Sequence, residues 1–316
     1  MLATGRTQVN RAIDELERQR EQVLLSGRTL ILDLVMQTPA RFATAAREAL
    51  EAELSSLRPA VLRARSHLAE HSDPAAAAAL LDRVGRKGSR GVILKAPDHP
   101  LVVEAVGRLA DRGIPTVTFV TDVSGSRRAA YLGMDNFAAG STAAYLVTQW
   151  AGASGSVLLT VSHSSFRGEE ERAIGFRSTL AEIAPRRQVR EVKDTDGIDE
   201  TILEAVRGAL ALHPSINAVY SAGGGNVATL RAFDEVGMSP RAFIAHDLDG
   251  DNRGLLRTRR ISAVLHHDLK ADMRRACRVL LQARGVLPGR PASVHSQVQI
   301  ITPYNEPASI HGDPER

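Results

Sequence analysis

An α/β fold of two doubly wound parallel-sheet lobes is the architecture this sequence predicts, and three observations predict it. Short, β-rich apolar runs alternate with longer stretches of helical periodicity from about residue 28 onward. The alternation runs through the first half and then repeats through the second. The 316 residues are too many for one compact core and suit two similar lobes. Repeated strand–helix–strand units demand right-handed crossovers, which put helices on both faces of each sheet.

Taken in order, residues 30–36 read as the first strand, ended by Thr38-Pro39. Alanines and leucines at helical spacing make 40–54 a helix, and 60–66 reads as the second strand. Asp73-Pro74 opens the next helix, because an aspartate caps free amides and proline fits the first turn without losing a hydrogen bond. A third strand covers 91–96, a helix 101–111, and a fourth strand 116–120 after Gly113-Ile114-Pro115. In the second half, 156–161, 189–193, 218–221 and 242–245 read as strands. Helices fall over roughly 137–151, 167–183, 199–212 and 225–236, and 261–265 is a further strand. The division expected is a helical segment at 1–27, a first lobe at 28–133 with 267–291, a second at 134–266 with 292–308, and a disordered tail at 309–316. Several strands form the hinge that joins the lobes.

Composition excludes several classes. Apolar residues at 43% and charged ones at 24% are an ordinary globular balance. The net charge of +4 comes from 40 basic and 36 acidic side chains, a weak case for a polyanionic partner. The Arg-rich stretch 253–290 reads as solvated helix faces first and a nucleic-acid patch second. The one cysteine, Cys277, forms no internal disulfide and sits in an apolar-periodic run as a small buried filler. The first 30 residues are polar, without the apolar core of a signal peptide, and no later run is long enough to cross a membrane. A cytoplasmic protein with no membrane partner is the expectation.

In doubly wound folds a ligand sits beyond the carboxyl ends of the strands. Those positions hold Gln37 and Phe42 after the first strand, Asp122 after the fourth, and Arg172 in the loop and helix start after Val161. Asn226 follows Gly223-Gly224-Gly225, Asp247 follows His246, and His267 follows the strand at 261–265. Carboxylates accept from hydroxyls, arginine donates to them, and an aromatic ring covers a sugar's C–H face. This set suits a neutral polyhydroxyl ligand bridging the lobes. Each residue also has a plainer reading: Asp122 as a turn cap, Asp247 as the cap of a following helix, Arg172 as half of a surface ion pair, Phe42 as core. His266, His267 and Asp268 resemble metal ligands, but adjacent strand residues point to opposite faces, so no metal is expected. No nucleophile elbow, zinc-histidine pair, P-loop or dinucleotide fingerprint is present. No catalytic residues and no cofactor are therefore expected, and a binding protein rather than an enzyme is.

Several of these stretches resemble the lactose-repressor/galactose-repressor (LacI/GalR) family and its relatives, the periplasmic sugar-binding proteins. The passage from Gly91-Val92-Ile93-Leu94 to Gly113-Ile114-Pro115-Thr116-Val117 is similar to that family's third-to-fourth-strand passage. Gly133-Met134-Asp135-Asn136-Phe137-Ala138-Ala139-Gly140 resembles its crossover into the second lobe. Asp122, Arg172 in Arg-x-x-Gly-Phe, and Asp247 fall where the family binds sugar, and His267 stands where glutamine is usual. Residues 6–16 and 22–28 resemble the last headpiece helix and the hinge helix, with the recognition helix absent.

The resemblance implies a periplasmic-binding-protein type I-like core with a truncated headpiece. It also implies a homodimeric, sugar-responsive transcriptional regulator in which ligand closure is coupled allosterically to DNA binding, with operator DNA as partner only if a complete headpiece is present. The alternative is the solute-binding protein of a sugar ABC transporter, which shares fold and cleft. A further rival is an enzyme using His246, Asp247, His267 and Asp268.

Overall fold

The computed structural model describes residues 29–56, 61–71, 73–162, 165–193, 195 and 199–307, together with Ile13, Glu15, Leu16, Gln19 and Arg20. Those five are helical and exposed; the rest of the headpiece-like segment 1–27, and the tail at 309–316, lie outside the described residues.

Two compact units divide the chain: one runs to Gly133 and takes in Asp268–His295, the other is Met134–His267 with the residues from Ser296. The first unit holds β1 (Thr29–Gln37), α1 (Ala40–Ser56), β2 (Val61–Ala69), α2 (Pro74–Arg86), β3 (Gly91–Lys95), α3 (Pro100–Asp111), β4 (Thr116–Phe119) and β5 (Ala130–Met134). The second continues with α4 (Asn136–Ala151), β6 (Ser156–Val161), α5 (Arg167–Ile183), β7 (Gln188–Lys193), α6 (Asp199–Leu212), β8 (Ile216–Ser221), α7 (Asn226–Glu235), β9 (Ala242–His246), α8 (Gly250–Arg257) and β10 (Ala263–His266). The chain returns to the first unit through α9 (Leu269–Ala283) and β11 (Val294–Ser296), and ends in β12 (Gln299–Ile301).

Each unit carries a six-stranded sheet, ordered β11-β5-β4-β3-β1-β2 in one and β12-β10-β9-β8-β6-β7 in the other. Reading from β2 and from β7, the two orders are the same, and neighbours within each core of five strands pair in parallel. The order reverses direction between β1 and β3, and between β6 and β8, which makes those the switch points where doubly wound sheets open a crevice.

Strand alternation decides which helix packs where. On β1, Leu30, Leu32, Leu34 and Met36 join α1 and α9 in one apolar cluster, while Val35 joins α2 and α3 in another. The second unit repeats this, with α4 and α5 over one face and α6, α7 and α8 over the other. Two-sided burial explains why the central strands are continuous apolar runs. Asp33 interrupts one such run, and its fully buried carboxylate is paired rather than abandoned. Arg65 of β2 donates to it through Nε at 2.9 Å and Nη2 at 2.7 Å, and His67 Nε2 lies 2.8 Å away. The Asp73 side chain accepts from the Ala75 and Ala76 amides at 2.9 and 3.2 Å, the cap expected of Asp-Pro.

Several strands depart from the sequence-based expectation. β5 is a fifth strand in a stretch given no strand, only its last two residues falling in the run that resembles a crossover, and β11 and β12 are three residues each, too short for any period to show. β2 runs to Ala69, three residues beyond its expected end, because all nine of its residues pair with β1.

Candidate functional site

The second unit builds its polar strand ends from a close helix crossing. α4 and α5 meet backbone to backbone: a Cβ on Gly140 would lie 2.0 Å from the Arg172 carbonyl oxygen, and one on Gly175 2.1 Å from that of Phe137. Only hydrogens fit, and the approach sets the Arg172 side chain beside Asn136, the first residue of α4. Arg172 is 3% exposed; its Nε donates to Asn136 Oδ1 at 2.8 Å and its Nη1 to the Ala222 carbonyl at 2.9 Å. No carboxylate among the described residues pairs with it, so the surface ion-pair reading of Arg172 falls.

After β6, the Ser162 amide and hydroxyl both donate to Glu169, the hydroxyl at 2.6 Å. A Cβ on Gly223, after β8, would stand 2.7 Å from both Glu169 Oε2 and Ser162 Oγ and would push this hydrogen-bonded pair aside. Gly225 takes φ +78° and heads α7, whose first residue, Asn226, is buried. Asn226 Nδ2 donates to Asn252 Oδ1 at 2.7 Å.

After β9, His246 is buried with Nε2 2.8 Å from the Tyr220 hydroxyl. Burial first, then Arg172 and His267, pushes its pKa well below the ordinary 6.5, so the ring is neutral. Burial likewise raises that of the Tyr220 hydroxyl. Asp247 follows with φ +63°, and His267 Nε2 is 3.7 Å from its Oδ1. Asp247 is not the cap of the following helix; Asp249 is, accepting from the Asn252 amide at 2.9 Å. Four buried polar atoms here have no hydrogen-bond partner among the described residues: Ser221 Oγ, Asn226 Oδ1, His246 Nδ1 and Asp247 Oδ1. Leaving a buried polar atom unmatched costs on the order of 1–3 kcal/mol, so a cluster at one set of strand ends marks a place for a polar partner.

In the first unit, Gln37 ends β1 at the switch point. Its Nε2 donates to the Asp73 carbonyl at 2.8 Å, its backbone carbonyl accepts from Lys95 Nζ at 3.4 Å, and its Oε1 is buried with no hydrogen-bond partner among the described residues. Asp122 is engaged by Arg128 through two nitrogens, Nη2 at 2.5 Å, and by the Thr118 hydroxyl at 2.6 Å and the Val123 amide at 2.9 Å. Burial works to raise its pKa, and Arg128 with Thr118 outweighs it, so the carboxyl lies below the ordinary value. Phe42 belongs to the core: it is 7% exposed in the cluster with Leu34, Met36, Ala46 and Leu50, which makes it packing rather than a stacking platform.

Asn226, Asp247, His267 and Arg172 thus come together with Asn136, Tyr220, Ser221, His246 and Asn252. Of these, Asn252, Tyr220, Ser221 and Asn136 were not among the candidates from sequence, nor was Arg128 at Asp122. Asp268 caps α9 by accepting from the Ala271 amide at 3.0 Å, and His266 Nδ1 accepts from the Leu248 amide at 3.3 Å. Among the described residues no His, Cys, Asp and Glu group could hold a metal ion, and no helix is long and apolar enough to cross a membrane. Much of the Arg-rich stretch is neutralised locally: Arg253 and Arg257 by Glu306, Arg260 by Asp234, Arg274 by Glu53 and Arg275 by Asp272.

Several solved structures share the fold. GanP, a glucose-galactose binding protein from Geobacillus stearothermophilus, matches with a TM-score of 0.79 at 16% identity, over 89% of this chain and 99% of its own. An ABC transporter solute-binding protein from Burkholderia graminis, in complex with D-arabinose, gives 0.80 at 18% identity over 89% and 97%. A periplasmic solute-binding protein from Actinobacillus succinogenes with bound D-allose gives 0.77 at 15% identity over 87% and 98%. At such identities the likeness establishes the two-lobed α/β fold, of periplasmic-binding-protein type I, and nothing finer. No curated protein matches in sequence.

The family described as periplasmic binding protein domain matches residues 34–285. That match overturns the assignment to the repressor family, and with it the transcriptional regulator, the DNA-binding role and the cytoplasmic location. The operator partner and the homodimer, which that resemblance alone implied, lose their basis too. The physical reason is plain: repressors and binding proteins share this core, and every site residue quoted for the resemblance lies within it. The chain belongs to the periplasmic binding protein domain family.

Proposed function

We propose that this protein is the solute-binding component of a sugar ABC transporter, capturing a small neutral carbohydrate outside the cytoplasmic membrane and releasing it unchanged to a permease. The observation that carries the reading is the cluster of buried polar atoms at the carboxyl ends of β8 and β9 that are unmatched among the described residues, beside an arginine that no described carboxylate pairs with. Hydroxyls both donate and accept, so a polyol can answer the Asp247 and Asn226 oxygens and also receive from Arg172. His267 is proposed as a further contact, and Gln37 and Asp122, at the strand ends of the first unit, as the sugar-binding groups of that unit. The neighbours in structure support the class: they are described as binding glucose and galactose, D-arabinose and D-allose.

Calorimetry of the purified chain with D-glucose, D-galactose, D-arabinose and D-allose tests this. At least one sugar is expected to bind, unchanged after recovery. Arg172→Met and Asp247→Asn are each expected to weaken it about tenfold to a hundredfold, the size of a lost charge-assisted hydrogen bond. Absence of binding across the panel, or full affinity in both variants, sinks the proposal.

A further inference from the structure

Asn252, on α8, is 2% exposed and makes three side-chain hydrogen bonds whose directions are forced. Nδ2 donates to the His246 carbonyl at 2.8 Å and to the Asp247 carbonyl at 2.7 Å. Carbonyls only accept, so the nitrogen must be the atom facing them and Oδ1 must face the other way. Asn226 meets that Oδ1 at 2.7 Å and can do so only as a donor, through its own Nδ2. The Asn226 amide is thereby fixed as well, and the oxygen it has left, Oδ1, is the buried atom with no hydrogen-bond partner among the described residues.

The same side chain bears on Asp247. A non-glycine residue at φ +63° stores backbone strain and persists only where its surroundings over-determine it. Here the Asn252 amide clasps the carbonyls of Asp247 and of the residue before it, while the Asp247 amide donates to Leu265 at 3.0 Å. Asp249 starts α8 so that Asn252 reaches back into this turn.

We infer that Asn252 is a positioning residue that sets the hydrogen-bond polarity of the site: it makes Asn226 an acceptor and holds the Asp247 carboxylate in its left-handed turn. A molecule bound there has to bring hydroxyl donors to both oxygens. The inference rests on the sugar-binding reading and narrows it, because a carboxylate or phosphate group set against these two oxygens would meet two acceptors, while the Arg172 guanidinium is left to donate to a hydroxyl. Neutral polyhydroxyl compounds are the class, and sugar acids and sugar phosphates are rejected at this position.

The test uses the full chain, the four sugars named above and D-gluconate. Asn252→Ala and Asn252→Asp are each expected to weaken the bound sugar about tenfold or more. The isosteric aspartate fails to rescue because it has no N–H for the two carbonyls. Asn226→Ala combined with Asn252→Ala binds no more weakly than Asn252→Ala alone. Rescue by aspartate, additive losses in the double variant, or gluconate binding as tightly as the neutral sugar overturns the inference. A sugar-free arm separates this from the functional reading: in wild type the Asn226 side-chain amide protons exchange slowly with solvent in NMR spectra. In Asn252→Ala, which leaves no acceptor for Asn226 Nδ2, they lose that protection while backbone amides of β8 and β9 keep theirs. Unchanged Asn226 protection refutes the positioning role even where a sugar binds; the expected loss, in a chain that binds none of the sugars, upholds it and defeats only the sugar reading.

Discussion

His246 is buried against the Tyr220 hydroxyl and faces Arg172 and His267, and these surroundings keep it neutral well below pH 6.5. An unfolded chain takes up a proton on this ring near pH 6.5, so the unfolded state binds more protons as pH drops and gains on the fold. The contribution of His246 to stability is therefore complete above pH 6.5 and is lost as pH falls toward its depressed folded value, at up to about 1.4 kcal/mol per pH unit. The melting temperature is expected to fall between pH 7 and 5 in wild type and to fall less in His246→Gln; parallel curves for the two would refute this. Asp33, Asp122, Glu191 and Glu306 act in another window. Burial works to raise all four, arginine partners outweigh it, and their pKa values lie below the ordinary 3.8 and 4.5. What they contribute is present above those ordinary values and lost as pH falls through the lower folded ones. At this scale the sequence shows where the strands end, because strand ends are readable from apolar runs. It could not choose the partners of the side chains there. Arg128 is six residues from Asp122, and Asn252 sits on a short helix beyond Asp247; only the folded turn shows which side chain each one meets.

Glycine means opposite things on different helices. Gly140 and Gly175 let α4 and α5 touch along their backbones, and a methyl group there would overlap a carbonyl oxygen at 2.0 or 2.1 Å. Backbone cannot give way as a side-chain tip can, so Gly140→Ala is expected to destabilise by about 1–3 kcal/mol or more and to disturb Arg172, whose carbonyl it strikes. Gly208 on α6 faces open space, with nothing within 4 Å of an added Cβ. Gly208→Ala is expected to stabilise by about 0.5–1 kcal/mol, since alanine has less backbone freedom to lose. Urea titration of the two variants checks both signs, and a stabilised Gly140→Ala would disprove the close-crossing account. Sequence alone could not separate these glycines, because the difference lies on the neighbouring helix. Caps were more legible: Asp73-Pro74 announces its helix through local chemistry alone. β5 was hidden, because Ala130-Tyr131-Leu132-Gly133-Met134 places a glycine in a run whose pairing is supplied by β4 and β11.

Two units of matching strand order account for the repeated rhythm of the sequence, yet the chain does not complete the first before beginning the second. α9 follows all but the last strand of the second unit and returns to the first, where Met273, Ala276, Cys277, Leu280 and Leu281 share a cluster with Leu32, Leu34, Ile93 and Phe119. That discontinuity belongs to the core shared by repressors and binding proteins, so the core residues conveyed the fold and could not tell the two apart. It also gives α9 a task out of proportion to its place near the end of the chain. Leu280 is fully buried, and its side chain lies 3.1 Å from where a Cβ on Gly91 would stand, so the helix seats directly on the β3 backbone. Truncating that side chain removes apolar contact and leaves a cavity that β3, paired on both edges, cannot close. Leu280→Ala is expected to destabilise by about 2–5 kcal/mol, whereas Lys270→Ala, on the exposed side of the same helix, should stay within about 0.5 kcal/mol. Chemical denaturation of both variants decides the matter: equal, small effects would mean that the first unit is complete without α9.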